Sequence, residues 1–63
     1  MNITHQEQKG TLTWIDHFGQ AHTEECWVRL NLFGMTYSTR KIRGRNWTHA
    51  GHTTNIIDFT PDK

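Results

Sequence analysis

Residues 26–32, read as Cys26-Trp27-Val28-Arg29-Leu30-Asn31-Leu32, are the stretch that decides the fold. Its apolar side chains recur at every second position, with Arg29 and Asn31 between them. A period of two is typical of a half-buried β-strand, in which alternate side chains point to opposite faces. We therefore predict a strand whose even-numbered side chains face the core, which places Trp27 on the face opposite Val28 and Leu30.

A helix over residues 23–33 is the alternative interpretation of the same stretch. Thr23 would cap such a helix, Glu24 and Glu25 would suit its first turn, and Gly34 would end it. At helical spacing, however, the apolar stripe is interrupted by Arg29, which makes it weaker than the alternation. The strand is the favoured prediction, and a helix here would give a ββαββ fold instead.

The flanking segments also favour extended structure. Residues 11–16 (TLTWID), 35–42 (MTYSTRKI) and 53–59 (TTNIIDF) are rich in residue types that suit a pleated surface. Asp16-His17-Phe18-Gly19 has the pattern of a type I turn with a glycine able to adopt positive φ, and residues 44–51 (GRNWTHAG) read as a loop. We predict an all-β fold, either a small curled sheet or an SH3-like β-barrel module of about five short strands.

Length and composition predict one small domain with a thin core. Apolar residues and glycine together account for 25 of the 63 positions, below the roughly 45–50% of typical globular chains. We assign residues 1–10 to a flexible N-terminal arm, 11–60 to the domain and 61–63 to a C-terminal tail. The single cysteine excludes an internal disulfide, so self-association or a partner is expected to support the fold.

The polar start MNITHQEQKG lacks the features of a secretory signal, and the longest apolar runs are too short to cross a bilayer. We therefore expect a cytoplasmic protein without a membrane-spanning segment.

Charge is unevenly distributed along the chain. The formal net charge is +1, but the acidic residues dominate the first half and the basic residues dominate the second. The densest group places four cations within six residues, followed by an aromatic ring: Arg40, Lys41, Arg43, Arg45 and Trp47. If the strand continues past Ile42, the last four share one face and form a row for phosphates that ends in a stacking platform. This pattern predicts binding to nucleic acid, or else to a larger acidic protein.

The aromatic residues exceed what so small a core can bury. Phe18 lies at a predicted turn, and Trp27 and Phe33 lie opposite the predicted core face. Exposed aromatic residues often anchor protein interfaces. They support an alternative function, in which the chain inhibits or modulates a larger protein.

Catalytic and metal chemistry receive less support. His22, Cys26, His49 and His52 are candidate zinc ligands, but their spacing is unspecific and lacks the cysteine-rich pattern of structural zinc sites. A small zinc-binding domain is therefore the least favoured hypothesis, and no metal or cofactor is predicted. His22, Glu24 and Cys26 would share one strand face, where neighbours are about 6.6–6.8 Å apart, too far for a hydrogen bond from Cys26 to His22 without a bend. A chain this small is also expected not to enclose a ligand pocket of the usual 300–1,000 Å³. We predict a small binding module without enzyme activity.

Overall fold

The predicted strand at residue 26 is the centre of the fold. The structure, a computed structural model, describes residues 7–62. Strand β2 (Ala21–Asn31) is the longest strand and is paired on both sides, with β1 (Gln8–Ile15) and β3 (Thr36–Lys41). Strand β4 (Thr48–His52) pairs with β3, and β5 (Ile56–Pro61) pairs with β1. All neighbours are antiparallel, in the order β4-β3-β2-β1-β5, so the all-β prediction is confirmed and the helix over residues 23–33 is wrong.

The two faces of the sheet differ in composition. The even-numbered side chains of β2 point to the inner face, where Cys26 and Val28 are fully buried. The register places inner residues of β1 and β3 opposite them, since Gly10 pairs with Cys26 and Tyr37 pairs with Leu30. The buried core joins residues from four strands: Leu12, Cys26, Val28, Tyr37, Ile56 and Phe59.

The sheet is strongly curled. Two flat sheets that pack face to face lie roughly 10 Å apart, whereas the smallest extent of this single sheet is 22 Å. The curl brings Phe59 of edge strand β5 into the same cluster as Tyr37 of β3. Within residues 7–62 the two edge strands β4 and β5 are not hydrogen-bonded to each other, so the module is a curled sheet with two open edges.

The turn between β1 and β2 has the predicted form. Gly19 has φ 83°, and its amide donates to the carbonyl of Asp16 at 3.0 Å. The Oδ1 of Asp16 accepts hydrogen bonds from the amides of Phe18 and Gln20, each at 2.9 Å. The aspartate side chain thus closes the turn, as the sequence pattern indicates.

Several predicted boundaries differ from the structure. Strand β1 already begins at Gln8, so residues 8–10 of the predicted arm belong to the sheet; residues 1–6 and 63 lie outside the described residues. Pro61 of the predicted tail lies in β5, and the Asp62 amide donates to the carbonyl of Lys9.

Two local predictions are wrong. The alternation ends at Leu30, because a 3₁₀ turn at Leu32–Gly34 takes Leu32 out of the sheet and leaves it 66% exposed. Residues 48–51, predicted as loop, lie in β4, because pairing with β3 overrides the weak strand propensity of Ala50 and Gly51. A second 3₁₀ turn, Thr53–Asn55, leads into β5. In the part of the chain that is described, no helix has the length and apolar character to span a membrane.

Candidate functional site

The predicted row of cations along one strand face does not form. Strand β3 ends at Lys41, and the Gly44 amide donates to the Lys41 carbonyl at 2.9 Å, which closes a turn. Side chains after Lys41 therefore no longer alternate with those of β3. Arg40 lies on the outer face opposite Trp27, whereas Lys41 lies on the inner face opposite Cys26.

Two arginines and two tryptophans meet on the outer face and form the Arg–Trp cluster (Trp27, Arg29, Arg40 and Trp47). The Cζ of Arg40 lies 5.1 Å from the ring centroid of Trp27 and 5.3 Å from that of Trp47. The Cζ of Arg29 lies 4.4 Å from the Trp47 centroid. These distances are within the range of favourable cation–π contact. Trp47 is therefore half-buried against guanidinium groups, and its use as a stacking platform stays a prediction.

Arg40 also anchors the segment that follows β3. Its Nη1 donates to the Gly44 carbonyl at 2.6 Å, and its guanidinium contacts Trp47 at the far end of the same segment. We call residues 41–47 the basic loop. Because Arg40 holds both its turn and its end, this loop has a defined position on the sheet.

Three cations remain exposed on the basic loop: Lys41, Arg43 and Arg45. Among residues 7–62 none of the three has a carboxylate oxygen within 4.0 Å. The ion pairs in that range join Lys9 to Asp62 and Arg29 to Glu7, and the Asp16 carboxylate is hydrogen-bonded to His22. The loop therefore presents unneutralised positive charge to solvent.

A cleft opens on the inner face beneath the basic loop. Its volume is about 540 Å³ and it is partly open to solvent, so a chain of this size forms a cleft without enclosing a pocket. The chain achieves it because the curl of the sheet and the basic loop together provide the walls. Leu12, Trp14 and Tyr37 line it, but Leu12 and Tyr37 are 1% and 2% exposed, so its accessible aromatic surface is that of the half-buried Trp14. Lys41 and Arg45 bring positive charge to the same space.

The Trp14 side chain in this cleft is held by two polar residues. Its ring stacks on His22, with centroids 5.3 Å apart and an interplanar angle of 23°. The Nε2 of His22 lies 2.7 Å from Oδ2 of Asp16. The hydrogen bond with His22 and those from the Gln20 and Phe18 amides hold the pKa of the Asp16 carboxyl below its ordinary value. Trp14 is thus positioned before any ligand arrives.

Cys26 is a core residue with no exposed surface. Burial raises the pKa of its thiol to about 11, with the nearby Glu24 carboxylate adding to the shift. The thiol is buried and protonated at neutral pH. Cys26 therefore lacks the accessible, ionised sulfur that a catalytic nucleophile requires.

The four candidate zinc ligands do not converge. His22 is bound to Asp16 and Cys26 lies in the core, whereas His49 and His52 lie on β4. Across residues 7–62, no three histidine, cysteine or carboxylate side chains come together as a metal site.

The three aromatic residues proposed for a protein interface differ in exposure. Trp27 is half-buried beneath Arg40, whereas Phe18 is 79% exposed and Phe33 is 98% exposed. Phe33 lies in what we call the hairpin tip (residues 32–35), where Leu32 and Met35 are each 66% exposed. Leu32 and Phe33 have φ of 50° and 57°, a conformation that is costly for such side chains.

The cleft residues Trp14, Tyr37, Glu24 and Asn46 are not among the site residues that the sequence predicts. The period-two pattern of TLTWID places Leu12 and Trp14 on one face, which was the available signal. The cleft itself depends on the curl of the whole sheet, which no single segment reveals. Comparisons with protein-family models, with curated proteins and with solved structures find no match to this chain.

Proposed function

We propose that this protein is a small non-catalytic module that binds single-stranded nucleic acid across the basic loop. The observation that carries this proposal is the exposure of Lys41, Arg43 and Arg45 without a carboxylate within 4.0 Å among residues 7–62. Phosphate groups are the natural partners of such cations, since charge-assisted hydrogen bonds to phosphate are strong.

The surroundings of the basic loop favour a single strand over a duplex. Sites for single strands combine a cationic track with aromatic surface on which unpaired bases stack. Here the cations lie beside a cleft in which the half-buried Trp14 offers aromatic surface, and a base can reach that surface only when it is unpaired. A module of this size would act as a regulator or inhibitor by covering the strand. Its buried thiol is consistent with a reducing compartment such as the cytoplasm.

Fluorescence anisotropy with labelled single- and double-stranded oligonucleotides tests the proposal, at salt concentrations of about 50 mM and about 200 mM. We expect the single strand to bind more tightly and its affinity to fall with added salt. Arg43→Gln and Arg45→Gln should each weaken binding and make the logarithmic salt dependence shallower by about 0.7. Lys9→Gln is the matched control, because Lys9 lies on β1 with its Nζ 4.0 Å from Asp62. Absence of binding at the lower salt, or an equal loss in the control, would overturn the proposal.

The hairpin tip favours a second candidate function, the recognition of a larger protein. Phe33 combines 98% exposure with a positive φ, so it is displayed without contributing to the core. The base of the tip is fixed, because Thr53 Oγ1 donates to the Gly34 carbonyl at 2.6 Å and the Thr53 amide donates to the Met35 carbonyl at 3.0 Å. Rigid exposed aromatic residues are frequent anchors of interfaces.

Site-specific photocrosslinking tests this second function. A photoreactive phenylalanine analogue at position 33 should capture one discrete protein, and excess unlabelled wild-type chain should compete for it. Excess Phe33→Asn chain should not compete. Equal competition by the two chains would show that the hairpin tip is not the anchor.

A further inference from the structure

The inner-face cleft has the size and wall chemistry of a small-molecule site. Its volume of about 540 Å³ falls within the 300–1,000 Å³ of typical ligand pockets. Part of its wall is aromatic, and Trp14 is held there by His22 and Asp16. A planar ring is therefore better suited to this cleft than a flexible aliphatic chain.

The charges around the cleft are of both signs. Lys41 and Arg45 contribute positive charge, and Glu24 contributes a carboxylate. No salt bridge joins Glu24 to either cation among residues 7–62. The ligand that complements this arrangement carries an anionic group at one position and hydrogen-bond donors at another. A simple anion would satisfy the cations and face repulsion from Glu24.

We propose that the cleft takes one unpaired nucleobase that carries an exocyclic amino group, as cytosine, adenine and guanine do. This inference rests on the proposed function, because the phosphates beside the bound base would contact Lys41 and Arg45. The base would pack against the aromatic wall. Its amino group would donate to the Glu24 carboxylate, and the Asn46 side chain, which both donates and accepts, would contact the same polar edge.

Selectivity follows from the chemistry of Glu24. An ionised carboxylate only accepts hydrogen bonds, so it pairs with the N4 amino group of cytosine. Uracil presents a carbonyl oxygen at that position, and two acceptors facing each other repel. The cleft should therefore prefer cytosine to uracil, although the two bases have almost the same shape.

The test compares short oligocytidylate with short oligouridylate in binding to the full chain and to variants. We expect tighter binding of oligocytidylate by the wild type, and Glu24→Gln should remove that preference because an amide also donates. Ala50→Phe places a ring in the cleft from edge strand β4, where Ala50 is an exposed wall residue. It should lower affinity at least fivefold, the loss of one stacked base, and leave the salt dependence unchanged.

Ala21→Phe is the matched control, since Ala21 is the other alanine of the chain, is exposed on β2 and does not line the cleft. NMR spectra establish that each variant is folded. If Ala50→Phe is unfolded, Glu24→Gln decides the question alone.

The outcomes separate this inference from the proposed function. If Arg45→Gln weakens binding but Ala50→Phe does not, or if the preference persists in Glu24→Gln, the cleft proposal is wrong and binding by the basic loop stands. If neither oligonucleotide binds the wild type, both proposals are wrong. Binding of a short peptide carboxylate in the cleft, in place of nucleotides, would equally overturn the cleft proposal.

Discussion

Burial governs the chemistry of single side chains in this protein, and Cys26 is the clearest case. Its side chain has no exposed surface, and its pKa is raised to about 11. Thiol reagents attack the thiolate, so both accessibility and ionisation oppose reaction in the folded state.

We therefore expect Cys26 to react with a thiol reagent only through unfolding. Mass spectrometry of the folded chain at mildly alkaline pH should show slow labelling, and the chain in denaturant should label rapidly. Rapid labelling of the folded chain would show that β2 is not packed as described.

Asp16 combines two roles in one residue, because it closes a turn and holds His22. Its lowered pKa means that the ionised form stabilises the fold. This stabilisation is complete above the unfolded-state pKa of the carboxyl, near 3.8, and is lost as the pH falls through the lower folded-state pKa.

Asp16→Asn isolates the ionic part of this contribution. Asparagine keeps an oxygen acceptor for the Phe18 and Gln20 amides but brings no charge to His22. Urea unfolding near neutral pH should show a lower midpoint for the variant. Well below pH 3.8 the two midpoints should converge, and a constant difference at every pH would contradict this role of the carboxylate.

At the scale of elements, the connection between β2 and β3 contains backbone angles that are unfavourable for its residues. The hairpin tip places Leu32 and Phe33 at positive φ, and this region costs an ordinary residue roughly 1–2 kcal/mol. Asparagine adopts it more readily, because its short polar side chain makes local hydrogen bonds.

Phe33→Asn should consequently stabilise the protein by about 1 kcal/mol, since a residue that is 98% exposed loses little packing. The free energy of unfolding from urea titration measures the change. Phe18→Asn is the control, because Phe18 is 79% exposed and its φ is not positive. Equal effects at both positions would remove backbone strain as the cause.

The pairing of β5 with β1 depends on Gly10. A β-carbon there would lie 2.8 Å from Phe59 Cζ and 2.8 Å from the Pro61 Cα, closer than such atoms approach in real structures. Gly10→Ala should therefore displace β5 and lower the free energy of unfolding by about 1–3 kcal/mol. Gly44→Ala, whose nearest atom is Lys41 Cβ at 3.2 Å, should cost less under the same urea titration, and the reverse order would contradict the described register.

At the scale of the whole molecule, one thin core joins four of the five strands. Its buried residues come from β1, β2, β3 and β5, and a domain of this length has a stability of about 3–9 kcal/mol. Loss of one buried leucine side chain costs about 2–5 kcal/mol.

Leu12→Ala should accordingly remove a large part of this stability, about 2–5 kcal/mol, with all strands lost in one transition at a lower temperature. Thermal unfolding followed by circular dichroism measures this. Ile57→Ala, at a side chain that is 55% exposed, should change the free energy of unfolding by less than about 0.5 kcal/mol. A loss for Leu12→Ala as small as that for Ile57→Ala would show that the core lies elsewhere.

Predictability from the sequence also depends on scale. The strand at residue 26 and the turn at Gly19 follow from local spacing and residue type, and both are confirmed. The predicted row of cations does not form, because the chain turns after Lys41, where the Gly44 amide donates to the Lys41 carbonyl. The contact of Trp47 with Arg29 joins segments that are far apart in the sequence, and the cleft is lined by β1 to β4 and the basic loop, which only the assembled sheet brings together.

The open edge of β4 has a further consequence. This strand pairs only with β3, yet Ala50 in its middle belongs to the wall of the cleft. Backbone amides at an unpaired sheet edge open readily to solvent. A ligand bound in the cleft would therefore slow hydrogen–deuterium exchange along β4 more than in the central strands. Exchange at the β4 amides would thus report how much of the protein has ligand bound, with no label on the ligand.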